Sequence, residues 1–579
     1  MFQKRMQTKT WLGVLILLAC LASGSARADQ GDPPSRVARL SLITGSASLQ
    51  PSGVNQWSQA LPNYPVTTGD RLYTDAGARA EMDLGDSAVR LSNTTDLTMA
   101  NLTNQFMQLG LAQGTIRISV YQMPSGNSTE VDTPNGALTV LQDGNYRVDT
   151  FPADNATLVS VYSGYLQLSG GGLAQTLRSG QAVKLTGTDP VQVSYVSLPP
   201  LDAFDQWSAA RDRRFVSAPA ARYVGRGMPG YADLDAYGQW SSVPQYGTVW
   251  YPAAVPAGWV PYRDGRWVWV SPWGWTWVDA EPWGFAPFHY GRWFYVGDRW
   301  GWIPGAVVVR PYYAPALVAF AGGAHFSLSL NFGGGGVQAW FPLGPSEPYY
   351  PWYHSSNAYL REVNVRNVRN VTNITNITNV NTINRIRYVN ERVAMTAVPS
   401  NAFRSGSPVR NQMVRVSAIQ ASQAEVIAHP NVTPGRAAAI GGRPMPAPVR
   451  TARYAAATQS SQRDAAFGAP AARNQPSRLP PPRSAAVVNN PQTRFSGPPT
   501  GRPQLIRRTP PPPGRLPFTV RQQAMQSHPG RPLEPQQIRN LRGGKPAGPS
   551  RDREYLPHAQ PSSRPRAQPA RQKPERRRQ

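Results

Sequence analysis

The chain has 579 residues, a formal net charge of +27 and a single cysteine, Cys20. Its length allows three or four domains, but 58 prolines and 51 glycines argue that part of it never packs. The basic excess is uneven: beyond residue 400 there are 30 Lys and Arg against 6 Asp and Glu, or +24, leaving 29 against 26, or +3, before it.

The N-terminus carries Lys4, Arg5 and Lys9, an apolar run from Trp11 to Ala22, and then Ala26-Arg27-Ala28. This predicts a signal peptide over 1–28, cut before Asp29, and an exported protein that is periplasmic or secreted. A lipoprotein anchored through Cys20 is the competing expectation, because Leu17-Leu18-Ala19-Cys20 loosely follows a lipobox. Cleavage after Ala28 leaves no cysteine, which excludes disulfides, iron–sulfur clusters and thiol catalysis. The leader is too short for a confident span and no later segment reaches 18 consecutive apolar residues, so no transmembrane span is expected after cleavage.

From 37 to 190, short apolar and β-branched runs such as TIRISV, ALTVL and LVSVY recur between Gly, Asp and Asn turns. Their spacing predicts an antiparallel β-sandwich or a solenoid-like sheet. Five ordered stretches, from TTGDRLYTDAGARAEMDLGDSAVRLSNTTDL at Thr67 through LAQGTIRISV, VDTPNGALTVLQDGNYRVDT and VSVYSGYLQL to LRSGQAVKL ending at Leu185, resemble the FecR domain. The resemblance implies an extracytoplasmic all-β module. The best-known members relay signals through a cytoplasmic segment and a membrane helix, but only ten residues precede the apolar run here, so that role is not carried over. Residues 200–230 read as a linker with a short helix, Leu201 to Phe215, in which Leu201, Phe204 and Trp207 or Ser208 share a face.

Residues 231–355 hold the densest aromatic sequence. Twelve of the seventeen tryptophans lie between Trp240 and Trp302. YGQWSSVPQYGTVW, DGRWVWVSPWGWTW and YGRWFYVGDRWGW align on Gly247, Gly274 and Gly301, which predicts three copies of one hairpin. In the third, a Gly297-Asp298 turn sets Val296 opposite Arg299, Tyr295 opposite Trp300, Trp293 opposite Trp302 and Phe294 opposite Gly301. Carried to the second copy, the same logic pairs Trp269 with Trp273 and Trp267 with Trp275 around a Val270–Pro272 loop.

At roughly 200 Å² each, the twelve tryptophans carry about 2,400 Å² of side chain. Average burial in a domain of about 70 residues leaves about 1,000 Å² of this wet, and even 80% burial leaves about 500 Å². Two arrangements follow: a tryptophan core, or a partly exposed platform for sugar rings or an envelope protein. The candidate binding residues are Trp267, Trp269, Trp273, Trp275, Trp277, Trp293, Tyr295, Trp300 and Trp302, with Trp273 and Trp275 favoured as binders and Trp293 and Trp302 as structural. The block, with AWFPLGPSEPYYPWY and an Asn-rich run after it, resembles a Trp-rich domain found after FecR domains in exported bacterial proteins, a family without an assigned activity. WGWIPGAVV at Trp300 resembles the last strands of SH3-like barrels.

Candidates for chemistry are sparse. Asp279, Glu281 and His289 suggest an acid/base group beside Trp283, but turn carboxylates are far more often solvated hairpin ends. Six histidines without ligand spacing predict no metal site, and the Gly333–Gly336 run lacks the Lys-Ser/Thr of a phosphate loop. Residues 356–420 contain short strands and a run with Val or Ile at every third position from Val365 to Val389, a period that suits neither helix nor strand. It reads as a low-complexity segment or a three-fold β-solenoid edge. From 421 to 579 the Pro/Arg-rich composition predicts a disordered basic tail. Its arginines Arg564, Arg566, Arg571, Arg576, Arg577 and Arg578 are candidates for binding anionic polymers such as lipopolysaccharide, cell-wall acids or extracellular DNA.

The expected fold class is therefore mainly β: a FecR-like antiparallel β domain, a Trp-rich three-hairpin β domain, then a long disordered tail. The expected role is a non-enzymatic, cofactor-free binding or scaffold protein of the cell envelope, contacting peptidoglycan or another glycan through the tryptophans. A periplasmic sensor or regulator and a glycan-processing enzyme are the alternatives.

Overall fold

Alternation sets the first module. In Tyr165–Gly170, Leu166 and Leu168 are buried while Tyr165 and Gln167 are not, the period of two that lets a strand bury one face. The computed structural model describes residues 31–322, 336–365, 387–446 and 503–543. The expected signal peptide with Cys20, the glycine run up to Gly335, the period-3 run from residue 366 to 386 and all six candidate tail arginines lie outside the described residues. The chain is mainly β. One compact unit ends at Glu534 and a second begins at Pro535, where the helix Pro535–Leu541 is described.

Strands from Ala38 to Val196, joined by the distant pair Pro444–Met445, form one continuous 18-stranded sheet that folds over on itself. The strand Phe106–Val120 runs through both layers. Its first half pairs with Asp96–Leu102 and Ser128–Thr133, and its second half with Ser87–Leu91 and Gly144–Phe151. Gly114, at φ 87, marks the change of partner: a Cβ there would lie 2.5 Å from the Thr95 Cα. Every named ladder is antiparallel except Ser128–Thr133 on Phe106–Gly110, which is parallel, a departure from the all-antiparallel expectation. Parallel neighbours need a crossover, and here the chain leaves the first half of Phe106–Val120 and returns only after completing the second.

The linker helix, Ala203–Ser217, docks through charge as well as through an apolar face. Asp202 and Asp205 close a capping box at its start. Beneath it, Glu81, Arg90, Arg117 and Arg147 stand side by side across four neighbouring strands. Three adjacent arginines would repel one another. Asp205 and Asp212, two turns apart on the helix, answer them: Arg117 and Arg147 donate to Asp205 at 2.7 and 2.6 Å, and Arg90 to Asp212 at 2.6 Å. Phe204 and Ser208 are buried as expected, but Leu201 lies outside the helix and is exposed.

In the Trp-rich module all three hairpins form: Gly238–Val243 with Gly247–Pro252, Gly265–Val270 with Gly274–Asp279, and Arg292–Val296 with Arg299–Ile303. The third has the expected register at every pair, over a turn in which Gly297 and Asp298 both have φ 57. The second does not. Trp269 faces Trp275 and Trp267 faces Trp277, and the loop is Ser271–Trp273. Gly274 explains the shift: it closes the loop at φ 82, as Gly247 does at φ 76 in the first hairpin, whereas Gly301 sits mid-strand with no positive φ. The third copy's tighter turn was therefore the wrong template for the second. A single aromatic face survives, with Trp277 on it and Trp273 in the loop.

The first and third hairpins share a sheet through Trp250 opposite Trp302. A further four-stranded sheet runs Thr396–Pro399, Val337–Pro342, Val318–Gly322 and Glu425–Ile427. The module therefore continues past residue 355, and the expectation that the chain ceases to pack at 421 needs correction. Residues 421–446 supply two strands, and residues 503–534, called the clasp below, lie against both modules. Composition averaged over the tail hid short apolar anchors such as Leu505, Ile506, Phe518 and Met525, all wholly or largely buried.

Candidate functional site

Of the nine aromatic residues expected to bind, eight are buried: Trp267, Trp269, Trp273, Trp275, Trp277, Trp293, Trp300 and Trp302. Only Tyr295, at 40%, is exposed. Trp273 and Trp275, the favoured binders, are both 0% exposed. Their rings pack edge to face on neighbours, Trp267 on Trp277 at 5.6 Å, Trp269 on Trp275 at 5.4 Å and Trp275 on Phe403 at 4.5 Å. Several indole N–H groups are spent inside, while those of Trp267 and Trp273 are buried without a hydrogen bond among the described residues: Trp277 donates to Asp279 at 2.8 Å, Trp293 to the Pro287 carbonyl at 2.9 Å and Trp302 to that of Tyr290 at 2.8 Å. The wet area inferred from an isolated 70-residue domain does not exist, because the block shares one core with the N-terminal module and with later residues such as Trp340, Trp352 and Phe403. A sugar ring would reach the eight buried rings only by opening this packing.

Of the acid/base candidates, Asp279 and His289 are interior groups and Glu281 is half-buried. Asp279 accepts from Trp277 and from the Glu281 N–H at 2.9 Å, and burial pushes its carboxyl well above the usual range. His289 directs Nδ1 at the Ala314 carbonyl at 2.8 Å, and burial lowers its pKa to about 3 despite that bond, so the ring is neutral. Asp279 lies at the module junction: Asn63 donates to the Asp279 and Glu281 carbonyls at 3.0 and 2.7 Å, while Arg39 binds Asn63 at 2.9 Å and pairs with Asp233. Among the described residues no cluster of three or more His, Cys, Asp or Glu could hold a metal.

The polar surface that does meet a peptide segment is one that motif reading missed. Gln108, Glu130, Thr139 and Gln167 form one row across four strands, and Gly110, Asp132, Ala137 and Ser169 the next. The clasp crosses these rows. Glu130 accepts the N–H groups of Arg508 and Thr509 at 3.1 and 3.0 Å and the Thr509 hydroxyl at 2.7 Å. Asp132 accepts Arg507 Nε at 3.1 Å and Gln108 Nε2 at 3.0 Å, and Gln108 also donates to the Thr509 carbonyl at 2.6 Å. Burial, then the neighbouring Glu130, pushes Asp132 up to about 8, with Arg507 opposing. Farther on, Arg515 and Arg521 donate to the Ser271 carbonyl and hydroxyl at 2.7 and 2.6 Å, fastening the clasp to the loop of the second hairpin. Beside this point opens a cleft of about 310 Å³ lined by Arg36, Thr68, Asn104, Tyr359, Pro512 and Arg515. The one sequence signal for the clasp is Phe518, Arg521 and Met525 at helical spacing, the buried face of Phe518–Met525.

Residues 231–347 match a family of unknown function, DUF6600. The match ends inside the Trp-rich module, whose second sheet continues to Ile427. No curated protein matches the chain. Two crystal structures of a proposed anti-sigma factor from Parabacteroides distasonis are similar to it at 17% and 18% identity, each with a TM-score of 0.20, covering 22% of this chain and 59% of their own. Among the described residues no helix is long and apolar enough to cross a membrane.

Proposed function

We propose that the protein is a non-enzymatic scaffold of the bacterial cell envelope, exported by its N-terminal leader, that binds an anionic envelope polymer through the arginines of its C-terminal third. The observation that carries this is the clasp. Its anchoring at Glu130, Asp132 and Ser271 ties the most cationic part of the sequence to the β body, with arginine-rich sequence on both sides of the attachment. Guanidinium groups suit phosphate and carboxylate oxygens bidentately. The FecR-like motifs of the first module support an extracytoplasmic setting, where lipopolysaccharide, cell-wall acids and extracellular DNA are the available polyanions. Burial of the tryptophans moves the expected contact from the aromatic block to the basic sequence.

The test is binding of the full chain to lipopolysaccharide vesicles and duplex DNA over a range of salt, beside a variant with Arg564, Arg566, Arg571, Arg576, Arg577 and Arg578 changed to Gln. Affinity for DNA should fall linearly on a log–log salt plot, and the variant's slope should drop by about 5 if all six arginines meet phosphates. Equal, salt-independent binding by both chains would refute the role. Envelope fractionation with N-terminal mass analysis should find Asp29 first; a lipidated Cys20 or an uncleaved cytoplasmic chain would contradict export as described.

A further inference from the structure

The surface under residues 505–509 is shaped for a peptide. Two glycines make a trough in it. A Cβ on Gly110 would stand 2.9 Å from Leu505 Cδ1, with nothing else nearer than 3.8 Å, and a Cβ on Gly170 would stand 2.3 Å from Ile506 Cγ2. Leu505 and Ile506 fill the space those missing side chains leave. Beside the trough stand Glu130, Asp132 and Gln108, at most 1% exposed beneath the clasp.

The recognition is divided in a way that selects a peptide class. Glu130 takes two successive backbone N–H groups and a hydroxyl, which fixes a bend at Arg508-Thr509 with Thr or Ser in third place after the apolar pair. Asp132 takes a guanidinium. The Ile506 N–H donates to the Thr133 carbonyl at 2.8 Å in an isolated antiparallel bridge, so the segment adds itself to the end of a strand without joining the ladder. Residues 447–502 connect it to the preceding strand pair; their contour, at most roughly 190 Å, reaches well beyond the molecule's own groove.

We propose that this groove is a peptide-binding site for a Leu-Ile-Arg-Arg-Thr segment, filled in cis by residues 505–509 and able to take the same segment from a second copy in trans. Such a site makes the clasp an exchangeable ligand and gives the scaffold a means of linking copies.

The test uses the full chain with a protease recognition sequence inserted near residue 475, and a fluorescein-labelled peptide of residues 503–526. Before cleavage the cis clasp should hold labelled peptide binding at least tenfold weaker than after it. Once cut and diluted, the chain should bind the peptide saturably while its tryptophan emission and circular dichroism stay those of the folded body. Peptides carrying Ile506→Asp or Thr509→Ala should bind at least tenfold more weakly, an outcome that leaves the folding of the protein untouched. Three results would each overturn the proposal: no saturable binding after cleavage, equal binding by all peptides, or collapse of the body when the cut clasp leaves.

Discussion

Replacing Asp205 by Ala should loosen the linker helix more than any other single change on that helix. The substitution removes a carboxylate that is 0% exposed from Arg117 and Arg147 together, at 2.7 and 2.6 Å, and deletes the third residue of the capping box. Leaving a buried charge without its partner costs about 3 to 5 kcal/mol, and the Asp202 N-cap stays while losing only its reciprocal bond. Arg147 keeps Asp149 at 2.9 Å and the half-exposed Asp202 at 2.7 Å, whereas Arg117 keeps no other carboxylate partner among the described residues. The lower end, about 3 kcal/mol, is therefore expected, or roughly 150-fold in the population of the undocked helix. Native-state hydrogen exchange of Ala203–Ser217 and of the strand beneath reads that population directly, and a urea titration reads the global loss. Asp205→Asn should recover the reciprocal bond and little of the pairing. A loss below about 0.5 kcal/mol, with unchanged protection, would mean that the arginine row is neutralised by solvent and not by the helix.

In the second hairpin, Trp269→Ala and Trp275→Ala should couple by about 0.5 to 1.5 kcal/mol in a double-mutant cycle, and Trp269 with Trp273 less, as the observed register requires. Trp293→Ala should cost about 3 to 5 kcal/mol with or without added glycan; a loss under 1 kcal/mol would contradict its interior position. Attachment of the clasp should weaken as pH rises from about 4 to about 8. Asp132, raised to about 8 mainly by burial beneath the clasp, holds a proton there that it loses near pH 4 when free, so the stabilisation is full at low pH and drains as pH climbs through about 8. Proteolysis at the clasp should report this, and Asp132→Asn should flatten the profile; an unchanged profile in that variant would assign the effect elsewhere.

Regular alternation and turn chemistry made the first module legible, and the Gly-Asp turn fixed the third hairpin to the residue. The second hairpin failed because Gly274 and Gly301 look alike in sequence but do different work, one closing a loop at positive φ and the other leaving room for Phe294. The arginine row could not be seen because Arg90, Arg117 and Arg147 are far apart in sequence and meet only through sheet register. Tail composition concealed the clasp for a related reason: a segment with few apolar residues packs when a preformed groove and buried acids supply what it lacks. Domain-wise area arithmetic misplaced the tryptophans because it cut the chain where the core does not.

Whether the tryptophan block is interior is most directly decided by titrating the intrinsic tryptophan fluorescence of the full chain with peptidoglycan fragments to millimolar concentration. With eight of the nine candidate rings buried, no saturable shift or quenching is expected, and acrylamide should reach the block poorly. A saturable change that disappears in Trp273→Phe or Trp275→Phe would contradict the interior placement and return glycan binding to the aromatic face.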